Sequence, residues 1–195
     1  MASGAVKLMT ADEFLRWQQD QEARYELVDG IPIEMMTGAS DVHDRIVINL
    51  IMLLGQQSRG SRCRPTTADI ALRTRHRGVR RPDVTVNCAP LKGDVYEALE
   101  PRMAIEVLSR SNAGVAWERK LLEYQRLGLD YILLVDSRCV AATLLTRNEA
   151  GAWDTSDFDR LADMIVLDRI GCQLPMAEVY DGSGLGEGEP PAEPA

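Results

Sequence analysis

Asp83, Glu106 and Lys120 are the residues of this chain whose types and placement could do chemistry. Glu106 is a single charge inside Met103–Ser109, MAIEVLS, which otherwise reads as a strand buried on both faces. A carboxylate there loses much of its hydration energy unless something compensates it. The compensation is either a structural ion pair or a metal ion, and the strand alone leaves both open. Asp83 begins the preceding strand, DVTVNC, directly after Pro82, which fixes the backbone at the entry. If the two strands are neighbours, their carboxylates converge at one edge of a sheet. Two hard oxygen ligands and several waters are what Mg²⁺ prefers.

Lys120 follows from depth. Glu106 lies a few residues before the end of its strand, roughly 10 Å from the turn at ~3.3 Å per residue. Lys120 lies about seven residues into the following helix, also roughly 10 Å back at ~1.5 Å per residue. The two side chains can therefore sit at one level. On the helix Lys120 neighbours Trp117 and Tyr124, so it borders the apolar face. Taken alone, it also reads as a lysine snorkelling at a helix edge. Two carboxylates that hold a metal, with a cation to position or activate water, suit hydrolysis of a phosphodiester.

The elements that must position these groups are legible in outline. Thr10–Glu13 is a capping box that starts a helix to about Gln19. YELVDGIPIEM (25–35) carries Asp29-Gly30 between two alternating apolar stretches, a hairpin signal. A helix is expected from about Val42 to Gln57, apolar nearly all round and therefore central. Strands are expected at 62–66, 70–74 and 83–88, with 75–80 a polar turn. After Met103–Ser109, Asn112 can cap a helix from about Ala113 to Leu127, closed by Gly128. Tyr131–Asp136, YILLVD, is a buried strand, so 103–136 reads as strand–helix–strand with a parallel pair. Strands at 141–147, 152–155 and 164–167 complete the sheet, and 175–180 forms a last helical turn.

Composition narrows the classes. The chain has 195 residues, 45% of them hydrophobic, enough for one domain with a substantial core. Residues 1–181 are expected to form that domain, and the acidic Gly/Pro-rich stretch 182–195 a disordered tail. No run of about 18 apolar residues is present and the N-terminus lacks a signal-peptide core, so the expected setting is cytoplasmic. Cys63, Cys88, Cys139 and Cys172 are far apart and are expected to be reduced. With no paired cysteines and only His43 and His76, a zinc site is not supported. Serine-nucleophile and nucleotide-loop patterns are missing.

The net charge is −8, which argues against a nucleic-acid partner until its distribution is considered. Arg59, Arg62, Arg64, Arg73, Arg75, Arg77, Arg80 and Arg81 lie in one block whose only acid is Asp69. Such a block could attract a phosphate backbone, or could be a solvated hairpin with arginines for solubility.

RPDVTV, IEVLSRS, the Lys120–Tyr124 pair of KLLEYQRLG, and YILLVD together resemble the Uma-type endonuclease family of the PD-(D/E)XK nuclease superfamily. YELVDG and His43 fit too, and the resemblance spans about residues 10–180. It implies an α/β, restriction-endonuclease-like fold, a central mixed sheet flanked by helices, and Mg²⁺- or Mn²⁺-dependent cleavage of DNA. It would make Asp83, Glu106 and Val107 metal ligands, and Lys120 the catalytic lysine. It would also place Glu26 and His43 near the site. Residue 108 is leucine where the pattern has lysine, which implies that the lysine has moved to the helix, as the depth argument allows. A homodimer is expected, since an enzyme that cuts both strands often pairs two sites. The readings from other classes are a non-catalytic DNA-binding or regulatory protein with a buried Glu106–Lys120 ion pair, and an interaction protein whose arginines bind an acidic partner.

Overall fold

Local signals at the N-terminal end build a small layer first. A computed structural model describes residues 8–35, 38–109 and 115–188. Thr10 and Glu13 cap helix α1 (Ala11–Gln18) reciprocally, Glu13 N–H to Thr10 Oγ1 and Thr10 N–H to Glu13 Oε2. Strands β1 (Tyr25–Val28) and β2 (Ile31–Glu34) form the expected hairpin. Both turn residues, Asp29 (φ 51°) and Gly30 (φ 85°), are left-handed, as a two-residue turn of this kind requires.

Helix α2 (Asp41–Gln57) begins at Ser40, whose side chain accepts from the His43 N–H. Strands β3 (Arg64–Thr67), β4 (Leu72–Arg75), β5 (Gly78–Arg80), β6 (Val84–Asn87) and β7 (Pro101–Leu108) follow. Then come α3 (Val115–Gln125) and strands β8 (Tyr131–Asp136), β9 (Ala142–Arg147), β10 (Trp153–Phe158), β11 (Met164–Leu167) and β12 (Cys172–Pro175), with α4 (Met176–Val179) last. The expected Asn112 cap lies outside the described residues.

The main sheet has six strands in the order β10-β9-β8-β7-β6-β3. β7 and β8 pair in parallel, Glu106 opposite Leu134, and the other pairs are antiparallel, so the sheet is mixed. A second sheet, β2-β1-β5-β4, carries the hairpin.

β7 alternates between two cores. Met103, Ile105 and Val107 join Ile46, Leu50 and Leu54 of α2 in the larger cluster. Ala104 faces the other way, toward Tyr124 of α3, Leu129 and Ile132. Asn49, buried on α2, donates to the carbonyls of Val179 and Asp181 and so ties α2 to the chain around α4. A third, smaller cluster seats α1 on the second sheet through Phe14, Leu27 and Val79.

Three expectations are corrected. Residues 75–80 are not only a turn, because Gly78–Arg80 is a strand between β1 and β4. Gly78 allows it: a Cβ there would lie 2.5 Å from Thr74 Oγ1 and 2.7 Å from Arg75 Cγ. Met164–Leu167 does not extend the main sheet but pairs with β12 in a separate two-stranded ribbon. Cys63 and Cys88 are not free thiols but a disulfide. The β3–β6 register explains it, since Arg64 lies opposite Asn87 and the next pair outward is the two cysteines. Residues beyond 181 pack back as far as they are described: Leu185 lies against the larger core and Glu187 accepts from the Leu161 N–H.

Candidate active site

The antiparallel β6–β7 register sets Val84 opposite Ile105, so one residue outward Asp83 comes level with Glu106. Asp83 is fixed by backbone as well as position: its Oδ2 accepts from the Val107 N–H at 2.8 Å. His43, from the first turn of α2, brings its Nε2 to 3.5 Å from the same oxygen. The contact with Asp83 holds the imidazole pKa above its ordinary value against the opposing effect of burial. The other ring nitrogen, Nδ1, is buried with no partner among the described residues. A buried polar atom of this kind normally finds a water or an ion.

Glu106 is 3% exposed. Its Oε1 accepts from Tyr124 Oη at 2.6 Å and lies 2.8 Å from Lys120 Nζ. Tyr124 and Lys120 sit four apart on α3, one turn of the helix, so a single face delivers both. Burial pushes the Glu106 carboxyl up to about 7; Lys120 opposes this and the neighbouring charge of Asp83 adds to it.

Lys120 also lies 3.2 Å from Glu26 Oε1, on β1. Burial works against its charge, yet the two carboxylates prevail and its pKa is raised. Glu26 is the mirror case. Burial acts to raise its pKa, but Lys120 and Arg80 hold it below the ordinary value. Glu26 accepts from the Arg81 N–H at 3.0 Å and from Arg80 Nη1 at 2.9 Å.

All the residues expected at the site therefore meet. Asp83, Glu106 and Lys120 form its centre, His43 reaches it from α2, and Glu26 from the hairpin. Val107 is present through its backbone, whose N–H is taken by Asp83. Three further residues were not foreseen in these roles. Tyr124 was legible as part of the KLLEYQ motif but not as a donor to Glu106. Arg80 and Glu123 are both buried, 5% and 4% exposed, and are paired through two contacts of 2.8 and 3.1 Å. Each had the one signal available in sequence, a charge next to an apolar position.

Six of the eight arginines of the block are engaged within the fold. Arg62 pairs with Glu100, Arg73 with Glu97 and Asp12, and Arg75 with Asp29 and Glu123. Arg64 donates to the Ala89 carbonyl, and Arg81 to the carbonyls of Tyr25, Ala68 and Asp69. These guanidiniums bind the two sheets and their loops together. Arg59 and Arg77 stay exposed at the surface, and the Arg62 side chain is 72% exposed even in its pair.

A metal fits the donor set in a specific way. Among the described residues no group of three or more His, Cys, Asp or Glu side chains could hold an ion. The available donors are two carboxylates, Asp83 and Glu106, with main-chain oxygen at Val107 and water to complete the shell. All are hard oxygens, the set that Mg²⁺ takes with few protein ligands.

Comparison with known proteins places this geometry. A family model described as "Uma2: Putative restriction endonuclease" matches residues 11–177. An uncharacterized protein of Synechocystis is 28% identical over 180 residues, covering 89% of this chain and 92% of its own. A crystal structure titled as a putative nuclease belonging to DUF820, from Anabaena variabilis, superposes with a TM-score of 0.69 at 16% identity. It covers 88% of this chain and 97% of that one, which establishes the shared fold. Since the family match spans the strands, helices and charged cluster described above, the chain belongs to the Uma2 family, that of the restriction endonuclease-like proteins.

Proposed function

We propose that the protein is a divalent-metal-dependent endodeoxyribonuclease that hydrolyses DNA phosphodiester bonds. The observation that carries this reading is the meeting of Asp83 and a buried Glu106 at one sheet edge, with Lys120 2.8 Å from Glu106. Asp83, Glu106 and the Val107 carbonyl would hold Mg²⁺ or Mn²⁺. When bound, the ion would polarise a phosphoryl oxygen and acidify a coordinated water.

The protein's own groups do the rest. The Val107 N–H fixes the Asp83 carboxylate. Tyr124 orients Glu106 by donating to Oε1. Lys120 stays charged, so it acts as an electrostatic partner that orients the attacking water and offsets charge growing on the phosphate, rather than as a base. His43 steadies Asp83 from α2.

One specific contact favours the second reading, a DNA-binding or regulatory protein that keeps the fold without catalysis. The Glu106–Lys120 pair is complete with no metal at all. Two assays separate the readings. Supercoiled plasmid and single-stranded DNA are incubated with Mg²⁺ or Mn²⁺, and metal binding is followed by calorimetry, for wild type, Asp83→Asn and Glu106→Gln. A nuclease binds metal and cleaves, and both variants lose both properties. Wild-type protein that neither binds metal nor cuts either DNA would end the enzymatic reading. A homodimer in a cytoplasmic setting, with DNA as partner, completes the proposal; sedimentation of the free protein tests the dimer.

A further inference from the structure

Lys120 is held from two sides, and the second side lies outside the main sheet. Its ammonium meets Glu26 Oε1 at 3.2 Å. Glu26 Oε2 meets Arg80 Nη1 at 2.9 Å. Arg80 grips Glu123 with Nε to Oε2 at 2.8 Å and Nη2 to Oε1 at 3.1 Å. Glu123 lies on α3, three residues from Lys120, so the circuit closes on the helix where it began. Four charges of alternating sign, from α3, β1 and β5, thus form a ring.

The ring is built to be rigid. Arg80 presents a planar fork to Glu123 in a buried setting, and the two parallel contacts fix the orientation of both groups. Glu123 is further held by Thr74 Oγ1 at 3.1 Å and Arg75 Nη2 at 2.8 Å. Arg119, one residue before Lys120, comes within 3.5 Å of Glu123 as well. Glu26 does not depend on Lys120 for its place, because the Arg81 N–H donates to it at 3.0 Å. A ligand that engaged Glu106 would compete for the carboxylate on one side of Lys120 only.

We propose that Glu26 and Arg80 are positioning residues: Glu26, clamped by Arg80 and Glu123, holds the Lys120 ammonium at the site independently of its contact with Glu106. The assignment rests on the reading of Lys120 as the working cation of the site, and it gives the N-terminal hairpin a part in catalysis without contact to substrate.

The test measures Lys120 directly. Wild type, Glu26→Gln, Arg80→Lys and Glu106→Gln are treated briefly with acetic anhydride, and acylation of Lys120 is read by peptide mass against exposed Lys92 as internal reference. Thermal unfolding is run on the same samples. Lys120 is expected to be slow to react in wild type and in Glu106→Gln, and about 10-fold faster or more in Glu26→Gln, with Arg80→Lys in between. In the cleavage assay Glu26→Gln should lower kcat by about 10–100-fold while KM for DNA and affinity for Mn²⁺ stay within about twofold. In a Lys120→Met background the same substitution should have no further effect on kcat.

Equal protection of Lys120 in Glu26→Gln and wild type overturns the proposal, as does deprotection by Glu106→Gln to the same extent as by Glu26→Gln. If Glu26→Gln does not fold, Arg80→Lys decides, and reactivity unchanged from wild type overturns the proposal there too. Wild-type protein that cuts no DNA sinks the nuclease reading alone, since the acylation result still decides whether Glu26 and Arg80 hold Lys120.

Discussion

The two faces of the main sheet are built on different principles, and β7 belongs to both. Toward α2, Met103, Ile105 and Val107 meet Ile46, Leu50 and Leu54, and the layer is almost wholly apolar. Toward α3, the apolar layer is thinner, running through Ala104, Tyr124, Leu129 and Ile132. It gives way to Glu106, Lys120, Glu26, Arg80 and Glu123, buried or nearly so and held by mutual charge. Burial on the first face stabilises at roughly 25 cal/mol per Å² of apolar area. Burial on the second is costly for each ion and is offset only when every partner is present. Stability and chemistry are thus assigned to opposite sides of one strand.

Substitutions on the two faces should therefore separate cleanly. The largest effect is expected from Glu106→Gln on the α3 face: cleavage falls by about 10²–10³-fold or more, while the fold is kept. Leu133→Ala on the α2 face should do the reverse. It should cost about 2–5 kcal/mol in urea unfolding and leave Mn²⁺ affinity unchanged at temperatures where the protein stays folded. A Leu133→Ala protein that is fully stable but metal-blind would break the comparison.

Reduction of Cys63–Cys88, which closes a loop of 25 residues on the α2-facing core, should lower stability by about 3 kcal/mol and leave two thiols more on titration. Unchanged stability on reduction would show that the β3 edge contributes little.

The pH dependence sharpens the contrast further. Glu106 has its pKa raised from 4.5 to about 7 in the folded, metal-free protein. The folded state binds this proton more tightly than the unfolded chain. The group therefore favours folding at pH below 4.5 and loses that contribution as pH rises toward 7. Metal-free wild type should lose stability relative to Glu106→Gln across this window, and metal binding near neutrality should release protons. A difference between the two proteins that stays flat with pH contradicts the assignment. The smallest effect is expected at Arg24, whose pair with Asp69 is more than half exposed on both sides. Arg24→Ala should change stability by less than about 1 kcal/mol.

Sequence patterns located the elements whose signals are local. The Thr10–Glu13 box, the Asp29-Gly30 turn and the YILLVD strand each carry their cause in consecutive residues, and the structure has all three. The carboxylate pair and Lys120 were legible because strand and helix rises fix depth before any contact is known. What was not legible depends on register or on partners far along the chain. β5 has three residues, too few for a period, and exists because Val79 packs beside Leu27. β11 matches a core strand in composition, but only the β12 pairing shows that it stands apart. The Cys63–Cys88 bond needed the β3–β6 register, and the arginine block needed the positions of acids as distant as Asp12 and Glu123.

The internal pairing of those arginines has a kinetic consequence. A duplex approaching this molecule meets a net charge of −8, with Arg62, Arg64, Arg73, Arg75, Arg80 and Arg81 engaged in contacts within the fold. Little long-range attraction remains to guide the encounter. Association should then run no faster than an unsteered rate, about 10⁵–10⁶ M⁻¹s⁻¹, and should quicken as added salt screens the repulsion between two negative partners. Capture would depend on short-range fit around Asp83 and Glu106, so the step that limits any action on DNA would be the encounter.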